Sequence, residues 1–143
     1  MDKFLHVGCG PKTKTQTTTE FAGDGWHEVR YDIDEAVNPD IVGTMTDMSA
    51  IEDGSYEAVF SSHNIEHLYP HDVPIALAEF HRVLKPKGIA VITCPDLQSV
   101  CELVAQDRLT EPAYESPAGP IAPIDIIYGF RRSKSRKNIK TFL

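Results

Sequence analysis

Phe4-Leu5-His6-Val7-Gly8-Cys9-Gly10-Pro11 decides the fold: an apolar run climbs to a glycine, and a second glycine follows two residues later. Such a run predicts a buried strand ending in a tight turn where backbone passes close to something else. Farther on, Val29-Arg30-Tyr31-Asp32-Ile33-Asp34 repeats the theme as a second strand ending in carboxylates. A glycine turn after one strand and an acid after the next is how doubly wound sheets hold a nucleoside-bearing ligand. The glycines admit the ligand to the backbone, and the acid accepts hydrogen bonds from ribose hydroxyls.

The 143 residues fit a single domain with one real core. No run of about 18 apolar residues marks a membrane span, and the N-terminus enters the first strand too soon for a signal peptide. Cys9, Cys94 and Cys101 are odd in number and lack metal-ligand spacing, which predicts reduced thiols in a cytoplasm. The net charge of −7 hides an asymmetry, because the last thirteen residues carry six basic side chains and no acid. The body of the chain is therefore strongly acidic, which argues against a nucleic-acid contact except through that tail. We expect a domain over 1–130 and a disordered basic tail over 131–143.

Lys12 to Glu20 is threonine-rich and carries no 3.6-residue apolar stripe, so a loop or at most one helical turn is expected there. Trp26–Tyr31 reads as the second strand, Asp40–Gly43 as a short third, and Tyr56–Ser61 as a buried fourth. Asp72 is placed to cap a helix with Ala76, Leu77, Phe80, Val83 and Leu84 along one stripe. Lys85-Pro86-Lys87-Gly88 should stop that helix. Ile89–Thr93 is β-branched and unbroken, as a central parallel strand should be. Pro95-Asp96 then opens a helix with Leu97, Val100, Cys101 and Val104 on one side. Residues 112–123 look irregular, and Ile124–Tyr128 reads as one edge strand or a short helix. Alternating strands and helices predict an α/β layered domain with a mostly parallel sheet and right-handed crossovers.

These residues resemble a class I S-adenosylmethionine-dependent methyltransferase over roughly 4 to 110. The resemblance rests on Leu5-His6-Val7-Gly8-Cys9-Gly10, Asp32, Thr46-Asp47-Met48, Ser61 to Leu68, and Glu79-Phe80-His81-Arg82-Val83-Leu84-Lys85-Pro86-Lys87-Gly88. It implies a Rossmann-like fold with flanking helices, S-adenosylmethionine as cofactor, and methyl transfer to an acceptor the sequence does not identify. By the same resemblance the cofactor would lie against His6, Gly8, Cys9, Gly10, Asp32, Ile33, Asp34, Asp47, Met48, Ser62 and His63. Asp32 or Asp34 would hold the ribose, and Asp47 would approach the adenine amino group. His6 stands where the family usually has an acid. His63 and His67 are the side chains worth naming as a catalytic base, although His67 reads equally well as a hydrogen-bonded core histidine.

His63-Asn64-Ile65-Glu66-His67 also spells H-x-x-E-H, which on a helix would set two histidines and a glutamate for zinc peptidase chemistry. Pro70 ends the segment too soon for such a helix, and no metal is expected. A dinucleotide oxidoreductase would need a third glycine near Lys12-Thr13, where none stands. The resemblance implies seven strands, whereas the sequence shows five, so the sheet should be shortened and its fifth strand exposed at one edge. Pairing of that edge with a second copy, or cover by residues 112–130, would protect it. A noncatalytic cofactor- or partner-binding remnant of the fold is the alternative function.

Overall fold

The computed structural model describes residues 1–116 and 119–130, so the basic tail expected at 131–143 lies outside the described residues. The chain divides into two compact units at Cys94/Pro95.

The first unit holds a five-stranded parallel sheet in the order β3-β2-β1-β4-β5. Its strands are β1 (Asp2–Val7), β2 (Trp26–Asp32), β3 (Ile41–Val42), β4 (Tyr56–Ser62) and β5 (Leu84–Thr93). Register brings the strand ends together: Val7 lies opposite Tyr31 on β2 and opposite Ser61 on β4. The turn after β1 and the ends of β2 and β4 therefore meet at one end of the sheet.

Alternation along β1 explains the two cores. Leu5 and Val7 face one side, joining Tyr31, Met48, Ile51, Val59, Phe80 and Val83. Phe4 faces the other, with Phe21, Ala58 and Phe60. Helix α2 (Val73–Val83) covers the first face through Ala76, Phe80 and Val83. Within residues 1–94 the second face has no long helix of its own. The threonine-rich stretch forms a 3-10 turn at Lys14–Gln16 and the single-turn helix α1 (Thr19–Ala22). Aromatic rings supply the cover instead: Phe21 stacks on Phe4 at 4.7 Å and meets Trp26 edge-on at 5.0 Å. Rings at those separations contribute beyond their buried area.

Three expectations about α2 need correcting. The Asp72 side chain makes no capping bond: its backbone is helical (φ −86°, ψ −23°) rather than extended, and Pro74 lacks one of the N–H groups a cap would use. Leu77 is 41% exposed, so it lies off the buried stripe. Leu84 already belongs to β5, and Lys85–Gly88 bulges out of the β4–β5 ladder, Lys87 turning at a φ of 68°. β5 is the edge of the sheet, not a central strand, and Ile89 is 49% exposed on it.

Glu57 ties three strands together by accepting the backbone N–H of Lys3 at 2.8 Å and pairing with Lys85. The Lys85 ammonium, and then the Lys3 N–H, hold its carboxyl down at about 2. A depressed carboxylate stabilises the fold above its unfolded value of 4.5, and that contribution fades as pH falls toward about 2. Glu57→Gln should therefore melt below the wild type at pH 6, and the gap should close by about pH 2. Melting curves taken across that range check it, and a gap independent of pH would refute the assignment.

The described part of the second unit contains helix α3 (Leu97–Ala105), strands β6 (Tyr114–Ser116) and β7 (Gly119–Ile121), and helix α4 (Pro123–Tyr128). Asp96 caps α3 by accepting the Gln98 N–H at 3.1 Å. Val100 is buried, whereas Leu97 is 61% exposed. Among the described residues of the stretch expected to be irregular, β6 and β7 pair antiparallel. Residues 124–128 are helical rather than an edge strand.

Candidate functional site

Two cavities open where β1, β2 and β4 end. The larger, about 270 Å³, is lined by apolar side chains of Val7, Tyr31, Met45 and Leu68, with Asp32, Ile33 and His67 also in its wall. The smaller, about 190 Å³, is lined by His6, Cys9, Gly10, Lys12, Gln16, Ser62 and His63, among others. Gly8 and Asn64 belong to both walls.

Backbone conformation builds the turn. Gly8 has a φ of 65° and Gly10 of 54°, values L side chains rarely adopt. A Cβ on Gly8 would collide with the Asn64 amide, whereas one on Gly10 would meet open space. Asp32 fastens the turn from below: its carboxylate accepts the Gly10 N–H at 2.7 Å and the Asp34 N–H at 2.9 Å. Arg30 fastens it from the side, donating to the carbonyls of Gly10 (2.5 Å), Asn38 (2.8 Å), Lys12 and Val37 (3.1 Å each). Five guanidinium N–H groups in a rigid fork suit a residue that must gather four carbonyls from two loops.

His6 is buried at the floor of the smaller cavity, and its Nδ1 lies 2.6 Å from Glu28 Oε1. The other Glu28 oxygen accepts the Lys14 N–H at 2.8 Å. Burial lowers the His6 pKa, and the Glu28 hydrogen bond opposes that shift without cancelling it. The acid missing at position 6 is thus present on the neighbouring strand. Cys9 is buried too, and burial pushes its thiol up to about 11, which leaves it a poor nucleophile.

The structure brings together His6, Gly8, Cys9, Gly10, Asp32, Ile33, Ser62, His63 and His67 in these two walls. It does not bring Asp34, Asp47 or Met48 there. Asp34 is exposed and caps the next turn by accepting the Ala36 N–H at 2.9 Å. Asp47 is exposed and bonds the Ser49 N–H, whose hydrogen bonds hold its carboxyl low. Met48 is 0% exposed in the core, and Met45 stands in the cavity wall instead. Sequence reading missed Arg30, Asn64, Lys12 and Gln16. The signal for Arg30 was available, since alternation puts it on the same strand face as Glu28 and Asp32. Asn64 gave none.

The zinc reading loses its geometric premise. His63 turns at a φ of 59° and only Ile65–His67 is helical, as a 3-10 turn, so His63 and His67 enter different cavities. Among the described residues no group of three or more His, Cys, Asp or Glu is placed to hold a metal ion.

The sequence profile described as "Methyltransferase domain" matches residues 5–92. The chain is 34% identical over 109 residues to a protein named probable methyltransferase ltbC from Aspergillus luteorubrus, covering 62% of this chain and 38% of that one. The fold is similar to that of the PH0226 protein from Pyrococcus horikoshii, with TM-score 0.59 and 22% identity over 79% of this chain and 57% of the other. It is also similar to a putative S-adenosylmethionine-dependent methyltransferase from Methanococcus maripaludis, with TM-score 0.54, 17% identity, and coverage of 99% and 65%. The chain thus spans well under half of the curated relative and about three fifths of these structures. The profile runs from the middle of β1 to the end of β5 and takes in every strand that carries the two cavities, and on that match the chain belongs to the methyltransferase-domain family.

Proposed function

We propose that the chain binds S-adenosylmethionine across the two cavities and serves transfer of its methyl group to an acceptor. The observation that carries this reading is the pair of unlike cavities meeting at Gly8. A ligand with an apolar, hydroxyl-bearing arm and a charged arm fits them in one orientation. The larger cavity offers Tyr31, Ile33, Met45 and Leu68 to a purine and Asp32 to ribose hydroxyls. Asp32 oxygens have lone pairs left after their two backbone bonds. The smaller cavity offers the His6–Glu28 pair to an ammonium, and Lys12 and Gln16 to a carboxylate.

When bound, this cofactor supplies a methyl group on a positive sulfur, which a nucleophile displaces in line. The chain's part is then alignment, with a proton acceptor where the nucleophile needs one. His63 lines the smaller cavity and His67 the larger, and these are the side chains offered for that proton. No acceptor class is assigned by these walls. Association through the exposed β5 edge and a cytoplasmic location belong to the same proposal, supported by the half-exposed Ile89 and the three free thiols.

Calorimetric titration tests it. S-adenosylhomocysteine should bind with micromolar affinity or better, and NAD should not. Asp32→Ala should weaken the nucleoside by about 1.5–3 kcal/mol, as for a hydrogen bond to a charged group, while Asp34→Ala should cost about 0.5 kcal/mol or less. Absence of binding at millimolar S-adenosylhomocysteine would end the reading.

A further inference from the structure

Asn64 is the one side chain that forms part of both cavity walls, Gly8 being the shared backbone beneath it. Ser62 ends β4, His63 turns in the left-handed region with its N–H bonded to Thr93 O at 2.8 Å, and the chain folds Asn64 back over the end of β1. Its Nδ2 lies 3.0 Å from Ser62 O, 3.1 Å from Val7 O, 3.2 Å from Ser61 Oγ and 3.4 Å from Gly8 O. Three of those four atoms are carbonyl oxygens, which only accept. The amide nitrogen must therefore face them, and the chemistry of the surroundings fixes the orientation of the group. Oδ1 is turned away from that cluster, and among the described residues it meets no hydrogen-bond donor. The amide lies against Gly8, where any side chain would collide with it. The result is a carbonyl dipole held rigidly at the neck between the cavities.

The geometry points to Asn64 as the residue that distinguishes the charged methyl donor from its neutral product, its fixed carbonyl oxygen facing the positive sulfur. This rests on the cofactor reading above. A ligand filling both cavities puts its central atom, the sulfur, at the neck. In the donor that atom carries a full positive charge, which the negative end of an oriented amide dipole stabilises. In the product it is an uncharged thioether, to which the dipole is nearly indifferent. Because the dipole is held by three carbonyls, it needs no reorientation when the ligand arrives. Asp32 does not compete for this role, since its wall is that of the larger cavity alone. The contact acts on the bound donor rather than on the transition state, where positive charge is already leaving sulfur. Its benefit is donor capture and product release, not a faster chemical step.

Calorimetry of the full chain with S-adenosylmethionine and S-adenosylhomocysteine tests the inference in wild type, Asn64→Ala and Asn64→Leu. Leucine fills the same space but, like alanine, gives up the Nδ2 bonds, so the readout is the ratio of the two affinities, in which a loosened turn cancels. The expected result in either variant is a donor affinity that falls about tenfold more than the product affinity, shifting the ratio toward product. Equal losses for both ligands would show that Asn64 only packs the turn, and would overturn the inference while leaving the cofactor reading intact. Failure of the wild type to bind either ligand would overturn both.

Discussion

Alanine at Gly8 is expected to lower stability by about 3 kcal/mol and to abolish binding in both cavities. Two costs combine. The φ of 65° is disfavoured for any residue with a Cβ by about 1–2 kcal/mol. The added methyl also overlaps the Asn64 amide, and forcing an atom into packed surroundings costs typically about 1–3 kcal/mol. Against the roughly 5–15 kcal/mol that holds an ordinary domain together, this is a large fraction. The two costs separate experimentally. In an Asn64→Ala background the overlap disappears, and Gly8→Ala should then cost only the conformational part. Urea denaturation of the four proteins gives the coupling directly. A cost at Gly8 that is the same with and without Asn64 would show that the amide is not the obstacle.

Arg82→Ala is expected to cost about 2–4 kcal/mol. Arg82 binds Glu79 through two nitrogens at 2.7 and 2.9 Å, and Asp53 at 2.6 Å. It also donates to the carbonyls of Ile51 at 2.8 Å and Met48 at 2.9 Å. Glu79 in turn accepts the Met48 N–H at 2.6 Å. The cluster staples α2 to the loop that carries Met48 into the core. It gives a physical reason for Glu79 and Arg82 in the Glu79–Gly88 pattern, which as sequence was only a resemblance. Arg82→Lys should recover little, since an ammonium cannot bridge a carboxylate and two carbonyls in one plane. Asp53 is 80% exposed on its side chain, so Asp53→Ala should cost less than about 1 kcal/mol. Thermal melts rank the three variants, and an Arg82→Ala protein melting like Asp53→Ala would refute the staple. The Arg82 hydrogen bond holds the Glu79 carboxyl below 4.5. The staple should therefore persist above that pH and weaken as acid protonates Glu79.

What could be read without coordinates was local. The strands before Gly8 and Asp32, the Ala76–Phe80–Val83 stripe and the glycine turn follow from side-chain period and chirality, which operate within a few residues. The site residues named from the resemblance fell into the cavity walls where they sit on the turn or at a strand end, as Gly8, Asp32 and Ser62 do. They fell outside where a loop decides direction. Asp47 and Met48 follow β3 in a stretch whose path is set by the Tyr31 hydroxyl, which donates to Thr44 O and Asp47 O, and by Glu79.

Sequence by itself therefore determined the succession of the five sheet strands with α2 and α3, the glycine turn and the acid that ends β2. Tertiary structure alone decided that Glu28 supplies the acid beside His6, that Arg30 gathers two loops, and that Asn64 divides the cavity. The reason is physical: those three act through partners 22, 20 and 57 residues away, chosen by parallel register and loop closure. A sequence displays a donor or an acceptor, whereas only the folded chain brings it to the groups it satisfies.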